Sequence, residues 1–318
     1  VSGFDHAAFR DAVEQAAARI APHVRVTPCM RVRRGDFGID HAGEIWLKLE
    51  QLQASGSFKA RGMFNRMLGA PLPAAGVTIA SGGNAGIATA YAARALGCRA
   101  EVFVPEVSSA AKRSALAALG ATVRVAGAVY ADALEACAAH QRASGALLMH
   151  AYDQQEVVQG AGTLARELER QVGPPDSVLV SVGGGGLMAG IAGWFGRRCR
   201  VVALEPARAP TLHAALEAGA PVDVEVGGIA ADSLGARRIG RIAWEVAQTA
   251  LPQSLLLPDE AIAEAQRALW REYRIAVEPG AALPLAALMS GAYRPRPGER
   301  VCLVLCGANV DLATLASA

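Results

Sequence analysis

The sequence is poor in aromatic residues, in net charge and in long apolar runs. Aromatics make up 5% of its 318 positions. Lys and Arg number 31 against 29 Asp and Glu, a formal charge of +2. With no long basic tract beside that balance, nucleic acid is not the expected partner. No apolar stretch reaches the roughly 18 residues of a membrane span, and no basic-then-apolar leader opens the chain. No membrane association and no secretion are therefore expected. The six cysteines, Cys29, Cys98, Cys137, Cys199, Cys302 and Cys306, lack zinc spacing. Reduced thiols in a cytoplasmic chain fit better than a disulfide framework. Neither a complete dinucleotide fingerprint nor a P-loop lysine motif occurs.

What is present is small and apolar. Hydrophobic residues make up 52% and charged residues 19%, with 34 Gly and 16 Pro. That excludes intrinsic disorder and collagen-like repeats and allows a large core. Abundant alanine suits helices packed closely on a sheet. Residues 4–21 read as a helix, followed by a loop from Thr27-Pro28 through Gly35 and Gly38. Glu44 to Glu50 alternates as a strand, with Ile45, Leu47 and Leu49 on one face and Lys48 and Glu50 on the other. Beyond a helix at 58–68, short strands (77–80, 99–104, 122–125, 147–150) alternate with helices (84–96, 109–119, 130–141). The same grammar continues with strands at 177–182, 200–205, 254–257 and 301–305. The helices of that half are expected at 155–171, 187–195, 211–217, 242–250, 260–273 and 281–290. Residues 219–240 are glycine-rich and poorly periodic. This pattern predicts βαβ units, hence an α/β fold of two open domains with mainly parallel sheets. The expected small domain is 48–146, and the large one is 1–47 together with 147–318. Ligands of such folds dock beyond the carboxyl ends of the strands, so the glycine turns there come first.

Gly183, Gly184, Gly185 and Gly186 lie between an apolar strand and a helix starting at Leu187. Such a loop turns backbone N–H groups and a helix N-terminus towards one anion, and phosphate is the economical ligand. A tight turn is the alternative. Ser81-Gly82-Gly83-Asn84 is a second strand-to-helix loop. It is either a capping turn with Asn84 as the cap or a nest for a carboxylate. Lys59, in Gly56-Ser57-Phe58-Lys59, opens a helix, where the dipole disfavours the ammonium and favours a nucleophilic amine. A solvated surface lysine is the bland reading. Cys306 follows the last strand as either an inert thiol or a ligand contact. Glu278 is a cap, a surface acid or a site residue. His150 is as readily structural as catalytic.

Taken together, Ser57-Phe58-Lys59-Ala60-Arg61-Gly62, Ser81-Gly82-Gly83-Asn84, the tetraglycine and Cys306 resemble the fold type II pyridoxal-phosphate enzymes. The closest likeness is to the serine/threonine dehydratase group, and it spans Thr27-Pro28 to Asn309. The resemblance implies a tryptophan synthase beta-like fold and pyridoxal 5′-phosphate as cofactor, held by Lys59. It implies Phe58 near the ring, Asn84 near the 3′ oxygen, Gly183 to Leu187 at the phosphate and Cys306 at the ring nitrogen, with Glu278 nearby. Ser81, Gly82, Gly83, Asn84 and Ala85 correspond to the loop that holds the substrate carboxylate. The implied activity is β-elimination of water from L-threonine or L-serine, giving a 2-oxo acid and ammonia. Lys59 is the implied general base, and a homodimer is expected because relatives are commonly dimers. Three departures stand out. Gly82 replaces the proton-shuttling serine of serine racemases, which disfavours racemisation. Ala85 replaces a common histidine. Thr211 stands where some relatives end a cation site that begins at Glu205 and includes a carbonyl near Ala209. Dependence on a divalent or monovalent cation therefore stays open. With few residues after Asn309, no C-terminal regulatory domain is expected. Alternatives are elimination on 3-hydroxyaspartate, β-replacement, or a non-catalytic protein that keeps the cofactor.

Overall fold

In the computed structural model, which describes residues 4–250 and 252–313, ten strands form two sheets. The larger is ordered β1-β2-β10-β7-β8-β9. Its strands are β1 (Cys29–Val32), β2 (Glu44–Lys48), β7 (Ser177–Ser181), β8 (Arg200–Pro206), β9 (Gln253–Leu257) and β10 (Arg300–Val304). All its pairings are parallel except β1 with β2. The smaller sheet is ordered β5-β4-β3-β6 and wholly parallel. Its strands are β3 (Val77–Ala80), β4 (Ala100–Val104), β5 (Thr122–Val125) and β6 (Leu147–Leu148).

Helices cover both sheets. The first half carries α1 (His6–Ile20), α2 (Lys59–Leu68), α3 (Asn84–Ala95), α4 (Ala110–Ala118), α5 (Tyr130–Ser144) and α6 (Gln155–Val172). The second carries α7 (Gly186–Phe195), α8 (Thr211–Ala218), α9 (Ala231–Leu234), α10 (Arg241–Ala250), α11 (Asp259–Tyr273) and α12 (Pro279–Met289). Parallel strands need long crossovers, and a helix is the connection that satisfies its own backbone. Asp5 starts α1 by accepting from the N–H groups of Ala7 and Ala8 at 2.9 and 3.0 Å, the usual way a cap satisfies orphan donors. Every residue of α7 is buried, as expected of a helix apolar all round. Among the described residues no helix is long and apolar enough to cross a membrane.

The α/β reading of the sequence holds, with local corrections. Strand β1 falls in a segment expected to be loop. Its four residues have no clear alternation and depend on pairing with β2, from Cys29 against Lys48 to Val32 against Ile45. The strand expected over 44–50 ends at Lys48, and Glu50 begins a short 3-10 turn. Strand β6 pairs with β3, so the four-stranded sheet runs past residue 146, where the small domain was expected to end. Part of the aperiodic stretch 219–240 winds into α9.

The polar face of β2 is no solvent face. Lys48, Glu50 and Arg61 are all essentially inaccessible. Arg61 donates to Glu50 at 2.5 and 3.0 Å and pairs with Glu167 of α6 at 3.0 Å. Lys48 Nζ donates to Glu167 at 2.5 Å, to Gln171 at 2.8 Å and to the Thr27 carbonyl at 2.7 Å. Two cations face two carboxylates, so no net charge is buried. Burial lowers the Arg61 pKa, but Glu50 and Glu167 outweigh it and hold the pKa above its ordinary value. This cluster clamps the start of α2 against β2 and α6. Arg61→Met strands buried carboxylates and is expected to cost about 3–5 kcal/mol in urea unfolding. Adding Glu50→Gln is expected to recover part of that loss. Equal stability of Arg61→Met and the parent chain would show that the cluster is not closed.

Candidate active site

Three chain segments meet at the carboxyl ends of β3, β7 and β10. The first carries Lys59. After β2 the backbone turns through Ser55 at φ 61° and Gly56 at φ 76°. Ser57 bridges Gly307, and the Phe58 N–H donates to the Cys306 carbonyl at 3.0 Å. These bonds stitch the lysine segment to the strand end that bears Cys306. Lys59 Nζ donates to the Ala151 carbonyl at 2.5 Å and lies 4.9 Å from the centroid of the Phe58 ring. Burial lowers its pKa from 10.5 to about 8, against the pull of Cys306 and Glu278. An amine out of water keeps its lone pair because the ammonium is the form that suffers from lost hydration.

The second segment is the tetraglycine between β7 and α7. Gly185 has φ 86° and stands at the N-cap of α7, a left-handed conformation that glycine adopts without steric cost. A Cβ on Gly184 would lie 2.4 Å from the Tyr152 ring. The loop therefore wraps closely over Tyr152. The first N–H groups of α7 lack intrahelical partners by helix geometry, and the positive end of the dipole points the same way. The loop has the geometry that suits an anion, the role expected of it from its glycine spacing.

The third segment joins β3 to α3. Asn84 does not cap α3; that position is Gly83, without a side-chain cap. The Asn84 amide instead donates to Glu278 Oε1 and Oε2 at 2.8 and 2.9 Å. Its own oxygen accepts from Asn309 Nδ2 at 2.6 Å, and Asn309 also donates to the Ser55 carbonyl at 3.1 Å. Asn309 thus fixes which end of the Asn84 amide faces the cavity. Glu278 stands at the N-cap of α12 with its side chain turned inward. Burial pushes its pKa up to about 7, and the Asn84 bond draws it partly back. Burial likewise raises the Cys306 thiol, so it stays protonated.

One cavity is lined by Phe58, Lys59, Asn84, Gly183, Gly184, Gly185, Gly186, Leu187, Glu278 and Cys306. Ser81, Gly82, Gly83 and Ala85 adjoin it through Asn84 but do not line it. The Ser81 hydroxyl accepts from the Gly83 N–H at 3.3 Å. His150 is structural in its bonding: Nδ1 accepts from the Tyr152 and Asp153 N–H groups at 3.2 and 2.9 Å. Burial lowers its pKa, which keeps the ring neutral. Tyr152, Ser181, Ser233 and Leu234 also line the cavity, and the sequence reading passed over all four. Tyr152 lies in a loop without a motif, Ser181 reads as strand, and the other two sit in the aperiodic stretch.

Glu205 does not fit a cation site. Its carboxylate accepts from the Leu212 and His213 N–H groups at 2.7 and 2.8 Å and lies 3.0 Å from the Thr211 hydroxyl. Thr211 also reaches the Gly183 carbonyl at 2.5 Å. Hard cations collect oxygen acceptors, whereas the groups around Glu205 are donors. Among the described residues no group of three or more His, Cys, Asp or Glu could hold a metal. Burial raises the Glu205 pKa to about 7.

The sequence pattern of the family described as "Pyridoxal-phosphate dependent enzyme" matches residues 20–307. A phenylserine dehydratase of Ralstonia pickettii is 34% identical over 96% of this chain and 94% of its own. An L-threonine ammonia-lyase of Geobacter sulfurreducens is 33% identical over 95% of this chain and 76% of its own. The solved structure of maize serine racemase superposes with a TM-score of 0.90 at 29% identity, covering 97% of this chain and 95% of that one. The cavity fits such a cofactor. A glycine loop at the N-terminus of α7 suits a phosphate, and an amine of lowered pKa suits an aldehyde.

Lys59 is one of three lysines, with Lys48 and Lys112, so its titration can be followed by mass spectrometry. Acylation of the cofactor-free protein by an amine-directed reagent is expected to rise with pH at Lys59 with a midpoint of about 8. A midpoint near the ordinary 10.5 would mean that the cavity is wet.

Proposed function

The chain belongs to the pyridoxal-phosphate-dependent enzymes, and we propose that within them it is an ammonia-lyase acting on a small β-hydroxy-α-amino acid. L-threonine and L-serine are the proposed substrates, and a 2-oxo acid and ammonia the products. The observation that carries this reading is the placement of Lys59 in one cavity with the glycine loop, where burial lowers its pKa to about 8. Gly183 to Leu187 would hold the phosphate of the cofactor, Lys59 would meet its aldehyde carbon, and Phe58, Asn84 and Cys306 would lie at its ring. When bound, pyridoxal 5′-phosphate supplies an electron sink for the pair released at the substrate α-carbon.

The protein supplies orientation and proton transfer. The Ser81 to Ala85 loop takes the substrate carboxylate through backbone N–H groups and the Ser81 hydroxyl. Lys59, as a free amine beside the substrate α-carbon, would take the α-proton as general base. The bond from the β-carbon to the hydroxyl breaks, and the oxygen leaves as water with a proton that the Lys59 ammonium can return. The released enamino acid takes up water and yields the 2-oxo acid and ammonia. The buried Cys306 thiol is a weak donor, so it leaves the ring nitrogen largely unprotonated, which is sufficient for elimination. Gly82 has no side chain to carry a proton to or from the other face of the α-carbon. That favours elimination over racemisation. The two sheets are taken as two domains, 48–146 extended through β6 and the remainder, with the cavity between them.

Purified protein is to be incubated with L-serine, L-threonine, 3-phenylserine and 3-hydroxyaspartate, with 2-oxo acid and ammonia assayed. L-threonine or L-serine is expected to yield equal amounts of both products. Lys59→Ala is expected to lower the rate by about 10²–10⁴-fold or more. Product from neither L-serine nor L-threonine would overturn the proposed substrates. An undiminished Lys59→Ala rate would remove the base.

A further inference from the structure

The last residue of β7 does something that neither its strand nor the glycine motif requires. Ser181 is 4% exposed, and its side chain lines the cavity shared by Lys59, Cys306 and the tetraglycine. Its hydroxyl is buried and has no hydrogen-bond partner. Most buried hydroxyls are paired, and an unpaired one is a net cost to the fold. Alanine would occupy the same site on the strand without that cost. Tyr293 and Glu299 satisfy the other serine of the same strand, Ser177, at 2.8 and 2.5 Å, so β7 does not leave serines unpaired as a rule.

The position of Ser181 says what the hydroxyl awaits. It stands two residues before Gly183 on the strand that delivers the anion cradle. It pairs with Leu204 of β8. On its other side β7 pairs with β10, whose continuation carries Cys306. Ser181 therefore lines the cavity at the end of β7, where that strand passes into the tetraglycine and the start of α7.

We propose that Ser181 is a further cofactor-binding residue, its hydroxyl donating to the phosphorylated end of pyridoxal 5′-phosphate. It adds one side-chain donor to a cradle otherwise built from backbone. The hydroxyl is left unpaired in the cofactor-free fold and becomes paired on binding.

The test uses Ser181→Ala in cofactor-free and cofactor-loaded forms. Equilibrium binding of pyridoxal 5′-phosphate is expected to weaken by about three- to tenfold, the worth of one such hydrogen bond. Inorganic phosphate is expected to bind more weakly as well, and pyridoxal without its phosphate is expected to bind as before. The melting temperature without cofactor is expected to hold or rise, while the rise produced by cofactor shrinks. Unchanged affinity for pyridoxal 5′-phosphate would overturn the proposal. So would weaker pyridoxal binding with phosphate binding intact, which would place the hydroxyl on the ring. An equal fall in melting temperature with and without cofactor would make Ser181 structural and overturn it too.

Discussion

One amine kept out of water is the constraint on which the rest of this structure turns. A lysine can be buried only if its charge is neutralised by partners or given up. Lys48 takes the first route, and Lys59, eleven positions on, has its pKa drawn down towards the second. Lys48 is ringed by Glu167, Gln171 and a carbonyl. Lys59 has one carbonyl and an aromatic face, and its pKa falls to about 8. The same side chain is paired in one setting and left with a lowered pKa in the other because the supply of oxygen acceptors differs.

Holding Lys59 there takes a rigid frame, and the frame is electrostatic underneath. Arg61, two residues further along α2, is tied to Glu50 and Glu167 with no exposure to solvent. Such a cluster adds little net stability against an apolar equivalent, but it is costly to break. It resists a shift of α2 along β2, because any slip would separate paired charges in a medium of low dielectric. Above it, the bridge from Ser57 to Gly307 and the bond from Phe58 to Cys306 join the lysine turn to β10. Lys59 and Cys306 therefore stay together as parts of one assembly.

The residues that depart from the family pattern have physical consequences of their own. Gly82 brings no hydroxyl to the loop beside Asn84, and Ala85 brings no imidazole. In the proposed function that loop has backbone N–H groups and Ser81 to offer a carboxylate, and no side chain for proton exchange on a second face. At Glu205 the N-terminal amides of α8 take the carboxylate that a cation would otherwise need. Thr211 links that carboxylate to the Gly183 carbonyl, so the anion cradle is braced from below by hydrogen bonds.

Much of this protein was legible in its sequence, because the strongest signals are local. Strand-to-helix alternation, the four glycines and the lysine opening α2 follow from period and backbone freedom, which neighbouring residues decide. The α/β class and the glycine loop come from that level, whereas the role proposed for Lys59 rests on the resemblance carried by several motifs together. Strand β1 was missed because four residues without alternation become a strand only when β2 lies beside them. Asn84 looked like a helix cap because nothing nearby in sequence announces Glu278, 194 positions away, or Asn309 beyond it. Lys48 and Glu50 looked like a polar face because alternation shows which residues share a side and not what covers it. Ser181, Tyr152, Ser233 and Leu234 carry no motif, and their place in the cavity is set by where β7, α9 and the turn before α6 come to rest. The sequence by itself determined the chemical groups and the turns that present them. Only the tertiary structure decided which groups lose water and find a partner, since burial and pairing depend on segments far apart in the chain.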